Sequence, residues 1–223
     1  MKNFLEKFID LVFENSCLIC NESSGQSLVC SVCENDFALR KENNVKHFER
    51  LSVYSWGVYE GKLRQGILEL KAGKKKLANY FSNKLLDFWN IMPNEIKNKN
   101  YNVIPVPSHK KRTKERGYCQ STLIAYKFSD YLGLKFSNKF IIRKKETLYM
   151  NSLSNINERQ LNIKNAFELN PLHNIINEEK NMLIIDDILT SGSTMCELAR
   201  TIHKKYPELN LIGLTVASGD TYN

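Results

Sequence analysis

With 223 residues, the chain is long enough to bury one substantial core and to carry a small additional module. Its composition, with 42% hydrophobic and 25% charged residues, excludes a wholly disordered or collagen-like chain. The net charge of +8 favours polyanionic partners, either nucleic acid or phosphorylated metabolites, but charge alone does not choose between them.

The first predicted element is an amphipathic helix in residues 1–15. Its apolar side chains recur at helical spacing: Phe4, Leu5, Phe8, Ile9, Val12 and Phe13. Charged residues interrupt this run, and no stretch of the chain approaches roughly 18 uninterrupted apolar residues, so we expect a soluble, cytoplasmic protein. The apolar face is expected to dock on the chain's own domain, and a position on a membrane surface is the alternative.

Four cysteines follow in two closely spaced pairs, Cys17 with Cys20 and Cys30 with Cys33. A separation of two residues lets a turn aim both sulfurs at one point, and four thiolates form the closed tetrahedral shell that structural zinc prefers. The residues between the pairs cannot form a core, so the metal must supply the local folding energy. We therefore predict a zinc finger near residues 15–36. Redox-active or disulfide-bonded Cys-x-x-Cys pairs are the alternative, which a reducing location disfavours.

The predicted domains are residues 1–45, with the helix and the finger, and residues 46–223, the main domain. In the main domain, strands alternate with helices, which implies crossover connections and an α/β fold: a mainly parallel sheet with helices on both faces. The predicted strands are one or two from Leu51 with a turn at Gly57, then 103–106, 140–142, 182–185 and 211–217, and the predicted helices are 60–71, 76–89, 118–132, 155–165 and 194–205.

A basic segment, predicted to be a loop, follows the strand at 103–106. It begins with Ser108 and His109 and continues with five cations in seven residues: Lys110, Lys111, Arg112, Lys114 and Arg116. These cations are suited to neutralise the diphosphate of a ligand, or to contact nucleic-acid phosphates with Tyr118 available to stack on a base. A mobile surface loop is the third possibility, and the residue types alone leave all three open.

The strand at 182–185 is a continuous apolar run, as expected of a central parallel strand that is buried on both faces. Two acids, Asp186 and Asp187, follow at its carboxyl end, where open parallel sheets bind ligands. Four hydroxyls and one flexible backbone position come next: Thr190, Ser191, Gly192, Ser193 and Thr194. A helix start with such hydroxyls is suited to bind a phosphate, and the carboxylates can accept hydrogen bonds from ribose hydroxyls or help to hold Mg²⁺.

The capping-box spacing of Thr194 and Glu197 predicts that the next helix begins at the end of this hydroxyl run. The alternatives for the acids are a strand that ends in a solvated turn, or an acid pair of the response-regulator type. Neither accounts for the adjacent hydroxyls. A nucleoside-triphosphate P-loop is disfavoured because the chain lacks Gly-x4-Gly-Lys-Ser/Thr.

The segment 182–194 closely resembles the motif of type I phosphoribosyltransferases that binds phosphoribosyl diphosphate (PRPP). The resemblance implies that Asp186 and Asp187 meet the ribose hydroxyls and that residues 190–194 hold the 5′-phosphate. A type I phosphoribosyltransferase-like fold and Mg²⁺ that arrives with PRPP are the corresponding expectations. The basic segment from Ser108 to Arg116 is then the expected partner of the diphosphate.

The chain as a whole resembles the ComF family of competence-associated proteins. Five patterns carry the resemblance: the four-cysteine finger and the segments 59–71, 105–120, 158–167 and 186–194. They imply a zinc finger joined to a phosphoribosyltransferase-like domain, with a link to natural transformation and to imported single-stranded DNA. Two positions depart from the family's usual pattern, because Cys119 stands where Asn is common and residues 147–150 replace a stretch that often reads Thr-x-Pro-Gln.

Three functions are therefore considered. The first is a competence protein that binds single-stranded DNA, with PRPP or another ribose phosphate as a ligand and the DNA-uptake machinery at the inner membrane as an implied partner. Its candidate DNA contacts are Lys111, Arg112, Lys114, Arg116 and Tyr118. The second is an active transferase that moves ribose 5-phosphate from PRPP to a nitrogenous base, and the third is a regulator whose DNA or protein affinity changes with PRPP. The sequence assigns no catalytic residue, no base pocket and no oligomeric state.

Overall fold

The computed structural model describes residues 15–39, 44–147, 156–173 and 180–219. The amphipathic helix predicted at the start of the chain lies outside them, apart from its last residue. Among the helices within these ranges, none combines the length and the apolar character needed to cross a membrane.

The described strands are β1 (Val45–Phe48), β2 (Leu51–Val58), β3 (Asn102–Pro105), β4 (Lys135–Phe136), β5 (Ile141–Arg143), β6 (Phe167–Leu169), β7 (Asn181–Leu189) and β8 (Asn210–Ser218). In this part of the chain, six of them form one sheet in the order β1-β2-β8-β7-β3-β4. Within that sheet, β1 and β2 pair antiparallel and every other neighbouring pair is parallel. The strands β5 and β6 form a separate antiparallel ribbon. The predicted mainly parallel sheet is confirmed.

The described helices are α1 (Ser31–Asn35), α2 (Gly61–Ala72), α3 (Lys76–Asn90), α4 (Asn94–Lys97), α5 (Lys110–Arg116), α6 (Gln120–Leu132), α7 (Ile156–Ile163) and α8 (Ser193–His203). They lie on both faces of the sheet. Leu183 and Ile185 of β7 belong to the buried cluster formed with α2, α3 and α6, whereas Met182 and Ile184 belong to the cluster formed with α7, α8 and the ribbon. This alternation explains the continuous apolar run of β7, because both of its faces are covered.

Three local predictions are wrong. The predicted turn at Gly57 is absent because β2 continues through this residue, which pairs with Ala217. A side chain here would place its Cβ 2.4 Å from Leu63 Cδ2, so the glycine permits close packing of α2 on the sheet. The basic segment is a helix, α5, rather than a loop, because the His109 ring accepts a hydrogen bond from the Lys111 amide and Gly117 adopts the left-handed conformation that ends helices.

The third wrong prediction is the capping box. Helix α8 begins at Ser193 with Gly192 as its N-cap, a residue that has no side chain with which to form the predicted box. The Glu197 carboxylate instead accepts a hydrogen bond of 2.6 Å from the Asn165 amide and pairs with Arg200 at 2.7 Å. Glu197 therefore joins α8 to the end of α7.

The finger packs against α2 and α3. Its apolar side chains Ile19, Val29 and Phe37 are buried in the same cluster as the two helices. Gly66 of α2 makes room for this contact, because a Cβ there would lie 2.9 Å from Ile19 Cδ1. The side chain of Gln65 donates to the Ile19 carbonyl at 2.8 Å. The finger is thus part of the core on this face of the sheet.

Candidate functional site

A cavity of about 330 Å³ lies at the carboxyl ends of β3 and β7, the edge at which parallel sheets bind ligands. Its wall contains members of both predicted phosphate-binding segments: Asp186 and Asp187 of β7, Thr190 after it and Thr194 at the start of α8, and Ser108, Arg112 and Arg116 from the segment after β3. Acidic and basic groups that are distant in the sequence therefore face one space.

The hydroxyl-rich loop divides between two cavities. Thr190 and Thr194 line the first cavity, whereas Ser191 and Ser193 line a second one of about 320 Å³ beside Phe48. The two serine hydroxyls are hydrogen-bonded to each other at 2.8 Å. In this conformation, two of the four predicted phosphate-binding hydroxyls line the same cavity as the acids, and the Ser193 amide at the start of α8 donates to the Ser191 hydroxyl.

The acid pair has a cation that the sequence analysis did not assign. Lys71, on the last turn of α2, places its Nζ 3.0 Å from Asp187 Oδ2. Burial alone would raise the pKa of Asp187, but the Lys71 charge holds that pKa below its ordinary value. Burial and the negative charge of Asp187 raise the pKa of Asp186 well above its ordinary value. Asp187 is thus the carboxylate of the pair, and Asp186 more readily holds a proton.

A third arginine reaches the cavity from the ribbon. Arg143 of β5 lines it, with its guanidinium 5.6 Å from the centre of the Phe167 ring. Arg143 and Arg112 both donate to Thr147, to its hydroxyl and its carbonyl oxygen respectively. Burial and the positive charge of Arg112 lower the pKa of Arg143 to about 10. Thr147 thus keeps the positive charges of Arg143 and Arg112 close together, an arrangement that favours an anionic ligand.

The other members of the basic segment do not line this cavity. Lys110, Lys111 and Lys114 are exposed on α5, and Lys111 Nζ lies 2.9 Å from a carboxylate oxygen of Glu146. The structure does not support the predicted stacking role of Tyr118, because its side chain is buried and its hydroxyl donates to the Leu70 carbonyl. Tyr118 instead ties the residues after α5 to the last turn of α2.

Sequence reasoning missed several cavity residues. Lys71 belonged to a family pattern but received no role, and no pattern marked Arg143. Tyr59, Leu68 and Ile188 also line the cavity and give it an apolar portion. Only Lys71 could have been suspected from the sequence, because it is a cation two residues before Gly73, the glycine that ends its helix.

The four cysteines of the finger converge on one point. Their sulfurs all lie within 4.8 Å of one another, with Cys17 3.9 Å from Cys33 and Cys20 3.7 Å from Cys30. A tetrahedral zinc ion with Zn–S bonds of about 2.3 Å requires sulfur separations of about 3.8 Å, whereas a disulfide requires about 2.05 Å. All four are free thiols. The cluster could therefore hold a metal such as zinc, and the disulfide alternative does not fit it.

Two of the clustered thiols differ in how readily they lose a proton. Burial alone would raise the pKa of Cys17, but amide groups of Cys20, Cys30 and Ile19 hydrogen-bond to its sulfur and lower the pKa to about 6. Burial and the neighbouring thiols raise the pKa of Cys33. Cys17 therefore forms the thiolate that a metal ion binds more readily than Cys33 does.

Curated relatives of the chain are competence and DNA utilization proteins. Competence protein F of Haemophilus influenzae is 34% identical over 102 residues, 46% of this chain and 44% of that protein. DNA utilization protein YhgH of Salmonella typhi is 33% identical over 101 residues, 45% of this chain and 42% of that protein. The chain thus spans less than half the length of these two relatives. Competence protein ComFC of Bacillus subtilis is 24% identical over 193 residues, 85% of this chain and 72% of that protein.

These homologues confirm the resemblance to the ComF family of competence-associated proteins. No family model matches the chain. Solved structures that align with it are phosphoribosyltransferases at low similarity. The xanthine-guanine-hypoxanthine phosphoribosyltransferase of Helicobacter pylori covers 64% of this chain and 72% of its own, with 12% identity and a TM-score of 0.40. The adenine phosphoribosyltransferase of Leishmania tarentolae covers 77% and 94%, with 12% identity and a TM-score of 0.37.

Proposed function

We propose that this chain is a cytoplasmic competence protein that binds PRPP or another ribose phosphate at the carboxyl end of β7 and handles single-stranded DNA. The observation that carries the ligand proposal is the common cavity of the acid pair, the start of α8 and the arginines Arg112 and Arg116. A phosphate, a sugar and a second anionic group each find a matching part of its wall.

In the proposed complex, the 5′-phosphate lies at the start of α8 beside Thr194, and the ribose hydroxyls donate to the acid pair. The diphosphate extends towards Arg112 and Arg116. Mg²⁺, brought by PRPP, would neutralise the charge of the diphosphate. In the finger, we propose that Cys17, Cys20, Cys30 and Cys33 hold a structural zinc ion.

Replacing Thr194 with valine is the direct test of ligand binding. The change keeps the side-chain shape but removes one hydroxyl from a charged ligand, so we expect PRPP affinity in the presence of Mg²⁺ to fall about tenfold. Isothermal titration calorimetry measures it. The matched control is Thr201→Val, because Thr201 lies on the same helix with its hydroxyl bonded to the Glu197 carbonyl. Equal affinities for the wild type and Thr194→Val would argue against the placement of the phosphate.

The DNA proposal is supported by the net charge, by the names of the relatives, and by three exposed lysines on α5, Lys110, Lys111 and Lys114. Replacing all three with alanine should weaken binding of a labelled single-stranded oligonucleotide, measured by fluorescence anisotropy across a salt series. For single strands, we expect the slope of log affinity against log salt to fall by about 0.7 for each lost phosphate contact.

The control is a second triple variant, in which Lys99, Lys135 and Lys180 are replaced with alanine. These exposed lysines lie near the starts of β3, β4 and β7, at the opposite edge of the sheet. Loss of DNA affinity in this variant, with none in the α5 variant, would place the DNA surface elsewhere. The DNA-uptake machinery at the inner membrane remains a proposed partner.

An active transferase is the second candidate function. It is favoured by the apolar portion of the cavity, where Tyr59, Leu68 and Ile188 could cover the faces of a planar base. Release of diphosphate from PRPP, measured with a panel of nitrogenous bases, distinguishes this function from binding alone.

A further inference from the structure

The last turn of α2, which carries Lys71, is anchored by its glycine end and by a hydrogen bond to the neighbouring residue. Its helix, α2, ends two residues later at Gly73, whose φ of 126° an L side chain rarely adopts. The preceding residue, Leu70, accepts the hydrogen bond from the buried Tyr118 hydroxyl. The backbone of Lys71 therefore lies in an anchored last turn, at the helix end whose dipole favours a cation.

The ammonium group neutralises Asp187 without occupying all of its acceptor capacity. Lys71 Nζ is 3.0 Å from Asp187 Oδ2, and each oxygen of a carboxylate can accept more than one hydrogen bond, so Asp187 keeps acceptor capacity for a ligand. Asp186 lies next to it and accepts the Asp187 amide at 2.9 Å. Without Lys71, two adjacent carboxyl groups in one cavity wall would need another positive charge before both could ionise. With Lys71, Asp187 is a charge-balanced acceptor for a hydroxyl group.

We propose that Lys71 is a built-in counter-cation of the acid pair, which lets the site accept the hydroxyls of a ribose phosphate without a divalent cation at Asp187. This proposal rests on the proposed function, because it concerns the same cavity. Its ligand class is a sugar phosphate that carries vicinal hydroxyls. Mg²⁺ is then needed only by a ligand that brings its own diphosphate, not by the sugar subsite.

Ribose 5-phosphate is the appropriate probe because it lacks the diphosphate that would itself bind Mg²⁺. Its affinity is measured by calorimetry at about pH 8, where free carboxylates are ionised, once with EDTA and once with excess Mg²⁺. We expect the wild type to bind equally in both, within about twofold. We expect Lys71→Met to lose about tenfold in EDTA and to recover most of this loss in Mg²⁺, because the metal replaces the missing charge.

Three further variants separate charge from folding. Lys71→Arg keeps the charge and should bind independently of Mg²⁺. The double variant Lys71→Met/Asp187→Asn removes both charges but keeps an amide oxygen as an acceptor, and it should also bind independently of Mg²⁺ even if Lys71→Met alone does not fold. Lys76→Met removes an exposed lysine five residues along the chain and should match the wild type.

Each outcome decides a different question. If Lys71→Met shows the same Mg²⁺ independence as the wild type, or if the wild type itself needs Mg²⁺, the counter-cation role is overturned. If the wild type binds ribose 5-phosphate under neither condition, the proposed function fails rather than the role of Lys71.

Discussion

Replacement of Cys33 with serine is expected to abolish metal binding and to lower the melting temperature of the whole protein by about 10 °C. The finger segment between the cysteine pairs has no core of its own, so it loses its fold when the metal centre is incomplete. Ile19, Val29 and Phe37 would then leave the cluster that they share with α2 and α3. Burying such a side chain is worth about 1.5–3 kcal/mol, so we expect a loss of roughly 4 kcal/mol or more.

At roughly 2–4 °C for each kcal/mol in a protein of this size, that loss gives the expected shift. Differential scanning calorimetry measures it, and elemental analysis should find one zinc ion per wild-type chain and none in the variant. Cys196→Ser is the matched control, because Cys196 lies on α8 beside the second cavity, outside the finger. A Cys33→Ser protein that keeps both the metal and the melting temperature would contradict the prediction.

Replacement of Gly192 with alanine is expected to reduce ribose 5-phosphate affinity by about 100-fold while the fold is retained. Gly192 has a φ of 80°, and a Cβ would lie 2.2 Å from Phe48 Cζ. Either the loop or the end of β1 must move, and a residue forced into this conformation costs on the order of 1–3 kcal/mol. Because Gly192 joins Thr190 to the start of α8 at Thr194, its displacement would separate the two hydroxyls of the proposed phosphate site.

Two further variants distinguish the effect of backbone strain from the effect of the overlap with Phe48. Gly133→Ala places a side chain at another left-handed position, with a φ of 65° and no atom within 4 Å of the new Cβ, so it should lower stability by about 1 kcal/mol without changing affinity. The double variant Gly192→Ala/Phe48→Ala removes the overlap but keeps the backbone strain, and it should recover part of the affinity. If Gly192→Ala binds ribose 5-phosphate as tightly as the wild type in calorimetry, the conformation of this loop is not required for binding.

The parts of the fold that were predictable depend on short-range patterns. The paired spacing of the cysteines and the apolar run of β7 each involve a few consecutive residues, and they correctly predicted the clustered sulfurs and the buried strand. The predicted turn at Gly57 failed because the reason for that glycine lies in Leu63 on a helix packed above it. A propensity for turns cannot distinguish this close approach from a real turn.

The parts of the candidate site that were not predicted arise from contacts between distant segments. Lys71 of α2 forms an ion pair with Asp187 of β7, and Arg143 and Arg112 both donate hydrogen bonds to Thr147. Tyr118 has the residue type expected of a base-stacking contact, yet its burial beneath α2 gives it a structural role. Since neither orientation nor burial can be read from a cluster of cations in the sequence, the basic segment could be located but not divided into its cavity and surface members.

Helix α2 contacts both centres of the molecule. Gly66, near its middle, receives Ile19 of the finger, and Lys71, about 7.5 Å further along the helix axis, holds the acid pair. If metal binding by the finger changes the affinity of the cavity for a sugar phosphate, thermodynamic linkage requires the sugar phosphate to change the metal affinity of the cysteine cluster by the same factor. Helix α2 is the element through which such a coupling would act.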